Sequence, residues 1–244
     1  MLATRQVKTV LGKMGLEVHR TGHDWTDTRT FLPLEATLSA AKASGLSVAD
    51  YVDARYNQPR ASQVAVDDMK AMGAFEGTIE RVCEIGPGSG RYLEKIKAIC
   101  TPAYYEIYET AQPWARWLVD TYGVTLQPTD GETLASTPSA SIDLVHAHKV
   151  FVSTSFLVTL RYFDEMARVT RPGGRVLFDV MTEDCVDDDI MHKWLAVEFD
   201  AGFYPSIVPK RTVVDFFRER GLHLVASKRG SMEPGFNEVF LFER

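Results

Sequence analysis

The run SIDLVHAHKVFV places His146 and His148 two residues apart. On a strand that spacing turns both imidazoles to one face, and imidazole is the side chain best poised to take up a proton near neutrality. His148 lies nearer the carboxyl end of the run and is the first candidate for a general base. His146 would then contact a bound cofactor or orient its neighbour. The competing reading is a hydrogen-bonded packing pair beside the ligand. Upstream, ERVCEIGPGSGRYLEKI (Glu80–Ile96) joins an apolar run to helical spacing through Gly86, Pro87, Gly88, Ser89 and Gly90. Glycines at such a junction let backbone approach a ligand with no Cβ in the way.

The spacing narrows the ligand. A dinucleotide turn reads G-x-G-x-x-G, and here the third glycine falls one position early. A pyrophosphate also asks for a helix N-terminus presented to an anion. An acid, Glu84, precedes this turn instead, which suits a ligand carrying an ammonium and a sulfonium. A nicotinamide-dependent oxidoreductase is disfavoured on the same ground. At the end of AYYEIYE, Glu109 is placed to accept from both hydroxyls of a ribose. Glu106 is the competing acid, and an ordinary acid at a helix start is the plainer reading of Glu109. Asp130 and Gly131 in PTDGETL read by themselves as an Asp-Gly turn.

These residues need a scaffold. The chain has 244 residues, 45% of them apolar and 25% charged, an ordinary composition for a globular protein. A net charge of -6 argues against a nucleic-acid partner. Cys83, Cys100 and Cys185 form no C-x-x-C pair, and an odd number suits a reducing compartment, so the cytoplasm is expected. No secretory segment or membrane-spanning run stands out. The first 78 residues read as helical: QVKTVLGKMGLEVHR, PLEATLSAAKASG ending at Gly45, SVADYVDARY with Ser47 as N-cap, and RASQVAVDDMKAMGAF with Val64, Val66, Met69 and Met72 as its apolar face. Strands and helices then alternate. RVCEIG, AYYEIYE, VTLQP, SIDLVHAHKVFV and RVLFDVM read as strands. GRYLEKIKAIC (Leu93, Ile96, Ile99 inward), TAQPWARWLVDTYG (Trp114, Trp117, Leu118 inward) and SFLVTLRYFDEMARVT (Leu157, Leu160, Phe163, Met166 in register) read as helices. Arg171–Gly174 reads as a turn, and the stretch from Met181 to about Pro209 as irregular and acidic. TVVDFFRERG reads as a helix, and LHLVAS and NEVFLFE as an antiparallel edge pair. Such alternation predicts a parallel sheet covered on both faces.

CEIGPGSGRYLEKI resembles the first motif of the class I S-adenosylmethionine-dependent methyltransferases, and the order of elements from about Arg81 onward is similar to theirs. The resemblance implies an α/β fold: a Rossmann-like, seven-stranded, mostly parallel sheet. Residues 1–78 would be an N-terminal helical extension or lid, and residues 79–244 the cofactor-binding domain. It implies S-adenosylmethionine as cofactor, contacted by Glu84, Gly86, Pro87, Gly88, Gly90 and Tyr92 around the turn and by Glu109 and Thr110 after the second strand. Asp130 would accept from the adenine amino group with Gly131 beside it, and His146 would contribute after the fourth strand. Pro172, Gly173 and Gly174 resemble the turn before the family's fifth strand and carry no chemistry.

The acceptor is less defined. Amine methylation of the family's common type shows D/N-P-P-Y/F after the fourth strand, where this chain has HAHKVF, so a hydroxyl acceptor with His148 as base is expected. The acids of EDCVDDD could attract a hard cation, but a run without defined spacing reads as a solvated loop, so no metal is expected. His192 and Trp194 after it, and Tyr56, Arg60 and Gln63 in the helical region, are candidates to line the acceptor pocket. HAHKVFVSTSFLVTLRYFDEMARVTRPGG and VKTVLGKMGLEVHR look similar to bacterial methyltransferases of polysaccharide and glycan assembly, which implies a sugar hydroxyl or glycan-end group. A natural-product or phenolic O-methyltransferase is the alternative enzyme, and a non-catalytic cofactor-binding partner protein the alternative of another class. A homodimer is left open.

Overall fold

The computed structural model describes residues 32–196, 206–231 and 236–244. The helix predicted over residues 6–20 lies outside them. Three helices come first: α1 (Leu34–Ser44), α2 (Val48–Tyr56) and α3 (Ala61–Met72). Gly45 closes α1 in the left-handed conformation, and the Ser47 hydroxyl caps α2 by accepting from the Asp50 amide at 3.1 Å. Both ends stand where the sequence placed them.

Then come β1 (Arg81–Ile85), α4 (Arg91–Ile99), β2 (Tyr104–Tyr108), α5 (Gln112–Tyr122), β3 (Thr125–Leu126), β4 (Ile142–Ala147), α6 (Phe156–Val169) and β5 (Thr170–Val180). A 3₁₀ turn (Glu183–Cys185), α7 (Asp188–Ala196), α8 (Lys210–Glu219), β6 (His223–Ser231) and β7 (Phe236–Glu243) complete the chain. The sheet has seven strands in the order β3-β2-β1-β4-β5-β7-β6. The first five are parallel, and β7 runs antiparallel between β5 and β6. The order reverses between β1 and β4, where an open α/β sheet leaves a crevice at its carboxyl edge.

The sheet separates two cores. On one face Val82, Tyr105, Ile107, Leu144, Leu177 and Leu241 pack with Val66, Met69, Leu93, Ile96 and Leu118 of the helices. On the other, Val145, Val176, Phe178, Phe240 and Phe242 meet Phe163, Met166, Val213 and Phe217. Phe178 is central there, with its ring centroid 4.5 Å from Phe163 and 5.3 Å from Phe217. At the opposite, amino edge Asp143 closes the sheet: its carboxylate accepts from the Glu80 and Arg81 amides at 2.9 and 2.7 Å and pairs with Arg171.

Several predicted faces shift. Val64, Ile99 and Leu157 are exposed; Tyr92 and Tyr162 take inward positions instead, because a 3.6-residue period buries a stripe set by the neighbouring elements and not by the longest apolar chain. Arg171–Gly174 is no turn before β5 but lies inside it, beside a register shift between Ile142 and Leu144. A Cβ on Gly174 would lie 2.8 Å from the Ile142 carbonyl oxygen, so close approach of β4 to the bulge needs glycine there. The stretch after Met181 is not irregular throughout: Asp187 accepts from the Ile190 amide at 3.0 Å and starts α7, with Asp188 and Asp189 in its first turn.

Phe178→Ala is expected to destabilise the protein by about 3–5 kcal/mol, as for other fully buried aromatics. Urea denaturation followed by circular dichroism reads this as a lower midpoint at unchanged slope.

Candidate active site

The carboxyl ends of β1, β2, β4 and β5 bring the chemistry-bearing residues to one edge. β1 runs into the glycine turn, where Gly86, Gly88 and Gly90 have φ of 62°, 55° and 75°. Gly86 donates its N–H to the Tyr108 carbonyl at 2.8 Å, and a Cβ there would lie 2.7 Å from Val150 Cγ2. Gly90 caps α4, and a Cβ there would lie 2.4 Å from Leu118 Cδ2 of α5. The early third glycine therefore has a packing reason: it lets α4 start against α5.

Glu109, just past β2, is tied to this turn. One carboxylate oxygen accepts from the Gly88 amide and the other from the Ala111 amide, both at 2.7 Å. Burial raises this carboxyl above its usual range, and the surrounding backbone N–H groups oppose that shift. Thr110 is exposed and lies against Gly131, where a Cβ would stand 3.8 Å from Thr110 Cγ2. The sheet thus brings Glu109, Thr110 and the Asp130–Gly131 loop to the same region as the turn. Asp130 itself closes its own loop, accepting from the Glu132 and Thr133 amides and the Thr133 hydroxyl at 2.7–2.8 Å.

The two histidines do not share a strand. β4 ends at Ala147, so His148 sits in the turn beyond it. The stacking of its ring on Tyr92 (centroids 4.2 Å, planes 18° apart) fixes its orientation in place of strand alternation. Its Nε2 is buried with no partner among the described residues. Burial, with Arg91 and Lys149 adding positive charge, pushes the His148 imidazole down to about 3, so it is neutral at physiological pH. His146 is fully buried, and burial holds its imidazole well below the usual range. Its Nε2 lies 3.0 Å from the Tyr105 hydroxyl, which donates to Glu84 at 2.6 Å.

Behind His148, Lys149 takes φ 60°, a strained value for a residue with a Cβ. Its amide donates to Asp179 of β5 at 2.6 Å, and Asp179 also accepts from Asn237 of β7. Tyr105, Asp179 and Asn237 escaped sequence reasoning. The signal was present: an acid inside the apolar run RVLFDVM, and a tyrosine whose alternation with Ile107 puts it on the Glu84 face.

The proposed acceptor residues are spread out. Arg60 (φ 65°) and Gln63 border a groove of about 440 Å³ with Asp50, Pro59 and Lys95, along α2–α4. Tyr56 is exposed and meets Tyr51 edge-on, with centroids 6.5 Å apart. His192 is exposed, whereas Trp194 packs on Val152 and Met181 with its Nε1 buried and unpartnered among the described residues. The acidic run forms caps and an ion pair: Glu183 accepts from the Lys210 amide at 2.8 Å, and Asp184 lies 3.5 Å from Lys210 Nζ. Among the described residues no group of three His, Cys, Asp or Glu side chains is placed to hold a metal.

The methyltransferase-domain family matches residues 38–230. The chain belongs to that family. None of the curated proteins matches it. Among solved structures it is similar to an S-adenosylmethionine-dependent methyltransferase from Mesorhizobium loti, at TM-score 0.56 and 15% identity over 73% of this chain and 96% of that one. It is similar also to an O-methyltransferase family protein from Burkholderia thailandensis, at TM-score 0.57 and 17% identity over 91% and 66% of the two chains. Magnesium protoporphyrin IX methyltransferase from Synechocystis, solved with bound S-adenosylhomocysteine, aligns over 99% of both chains at TM-score 0.56 and 12% identity. At these identities the likeness is one of fold. Family and fold accord with S-adenosylmethionine as the cofactor of this chain.

Gly86→Ala is expected to cost about 2–4 kcal/mol of stability through backbone strain and the clash with Val150. Pairing it with Val150→Ala should remove the clash part, so that a double-mutant cycle in urea reads a non-additive recovery of at least about 1 kcal/mol.

Proposed function

We propose that this protein transfers a methyl group from S-adenosylmethionine to a hydroxyl of a saccharide or glycan-end group. The observation that carries the cofactor reading is the left-handed Gly86–Gly90 turn, hydrogen-bonded to Glu109 at the carboxyl edge of the sheet. The residues fit the group. Gly86, Gly88 and Gly90 hold the turn in the left-handed region, and the buried Ser89 hydroxyl and His148 Nε2 lack partners among the described residues. The bound cofactor supplies an electrophilic methyl on a cationic sulfur.

In this reading Gly86, Pro87, Gly88 and Gly90 hold the methionine half by backbone. Glu84 beneath them faces its ammonium, and Tyr92 walls the pocket. Glu109 and Thr110 accept the ribose, and the Asp130–Gly131 loop covers the adenine. His146 supports Glu84 from below, and His148 takes the acceptor's proton. An imidazole held neutral by burial has its lone pair ready; its weakness as an isolated base is offset when the hydroxyl acidifies as the methyl bond forms. Much of the rate comes from holding the acceptor oxygen in line with the methyl. Arg60, Gln63 and Tyr56 on the helical side, and His192 and Trp194 of α7, border the acceptor's approach, and α1–α3 serve as the lid over the cofactor domain. No metal takes part. A phenolic or natural-product acceptor is the second reading, favoured by the half-buried Trp194 indole, whose Nε1 lacks a partner among the described residues. The free cysteines suit the cytoplasm.

Calorimetric titration should show S-adenosylhomocysteine binding and no binding of NADH; the reverse result ends the reading. Glu109→Ala should weaken S-adenosylhomocysteine by about 10–100-fold, the worth of hydrogen bonds to a charged group. With labelled methyl and a panel of glycans and phenols, the accepted class decides between the two acceptors. On the accepted substrate His148→Ala should lower turnover by about 10²–10⁴-fold while cofactor affinity stays within a few fold. Full turnover in that variant removes His148 as base.

A further inference from the structure

Among the described residues Glu84 is a buried carboxyl with no lysine or arginine partner. It is 1% exposed, and its close polar neighbours are Tyr105, whose hydroxyl stands 2.6 Å away, and His146, whose Nε2 stands 4.0 Å away. Just past β2 lies Glu109, a second acid. α4 contributes Tyr92 and Arg91, and Arg91 is bound to Asp53 at 2.9 Å. Past β4 lie His148, neutral by burial, and Lys149; β5 contributes Asp179, held by the Lys149 amide and Asn237; and Cys83 lies on the opposite face of β1. Burying a lone carboxylate is costly, so this site favours the protonated acid until a cation arrives. Burial, and after it the charge of Glu109, push the Glu84 carboxyl up to about 8 against the opposing Tyr105 hydrogen bond.

The three side chains also form a chain whose direction can reverse. Tyr105 Oη lies within hydrogen-bond distance of both Glu84 Oε2 and His146 Nε2, at 2.6 and 3.0 Å. Two proton arrangements satisfy the same heavy-atom positions. With Glu84 protonated, its O–H donates to Tyr105, Tyr105 donates to His146 Nε2, and His146 carries its proton on Nδ1. With Glu84 ionised, His146 donates from Nε2 to Tyr105, Tyr105 donates to Glu84, and Nδ1 carries no proton. His146 Nδ1 is buried without a partner among the described residues, as the open end of such a chain would be. The His148 ring is next, at 5.5 Å between centroids.

We propose that Glu84, Tyr105 and His146 form a proton relay that couples cofactor binding to proton release. It rests on the cofactor reading above and gives that site a linked proton. As the ammonium of the methionine half settles against Glu84, each proton moves one place. The Glu84 proton passes to Tyr105, the Tyr105 proton to His146 Nε2, and the Nδ1 proton leaves toward His148 and solvent. One proton is released for each cofactor bound, and no heavy-atom bond changes. Tyr105 acts through Glu84 and is a positioning residue. The sign follows from linkage. Below the raised carboxyl value the free protein holds a proton that the complex lacks, so affinity rises with pH and levels off above it.

The test uses S-adenosylhomocysteine, which keeps the ammonium, titrated calorimetrically at pH 7 in buffers of different ionisation enthalpy. The expected result is release of roughly one proton, with affinity improving up to about tenfold per pH unit between about pH 6 and 7.5 and flattening above about 8. In ¹⁵N-histidine NMR, His146 should change tautomer on binding. Glu84→Gln should bind more weakly, release no proton and show no pH dependence in that range. Tyr105→Phe removes a donor to the carboxylate, so its pH curve should move upward and the His146 tautomer should no longer respond. Binding with no proton exchanged, or an unchanged His146 tautomer in the native protein, overturns the relay alone. Absence of any binding overturns the cofactor reading and the relay together.

Discussion

The hydrogen bond from the Gly88 amide to Glu109 joins the two halves of the site. The turn after β1 and the acid after β2 come from neighbouring parallel strands, and one 2.7 Å contact fixes their relative height. The second Glu109 oxygen, held by the Ala111 amide, also fixes the start of α5. That start sets Leu118, which in turn requires glycine at position 90. A single buried carboxylate thus sets the turn and the packing of the helices around it. Its burial is tolerable because backbone N–H groups meet both oxygens.

The same economy governs the rest of the carboxyl edge. Parallel strands start their polar residues at one end, and the helices cover both faces, so Glu84, His146, His148 and Asp179 have little water to turn to. Glu84 and Asp179 are satisfied in short chains instead: Glu84 with Tyr105 and His146, and Asp179 with Asn237 and the Lys149 amide. The second chain keeps Lys149 in a left-handed conformation and so sets where His148 leaves the sheet. Such chains are rigid when fully paired. Among the described residues, Ser89 Oγ, His146 Nδ1 and His148 Nε2 remain buried without partners.

How far the site was legible depended on whether a residue's role is local. The glycine turn, Ser47 as a cap and Glu109 at a strand end could be read because short-range geometry demands those residue types. Asp130 shows the limit: its Asp-Gly turn is visible in sequence, and its oxygens are indeed closed on their own loop. The spacing of the histidine pair by itself implies two residues on one strand. β4 stops one residue earlier, at Ala147, and stacking on Tyr92 replaces strand alternation as the determinant of His148.

By itself the sequence determined the alternation of strands and helices, the glycine turn after β1, and the acids beside it. Periodicity and glycine chemistry are properties of a few adjacent residues. The tertiary structure alone decided which side of each helix is buried, that Arg171–Gly174 is a bulge inside β5, and that Glu84 faces Tyr105 and His146. Those outcomes depend on which strands become neighbours. The order β2-β1-β4-β5 brings together residues far apart in the chain, and no local pattern records their distances.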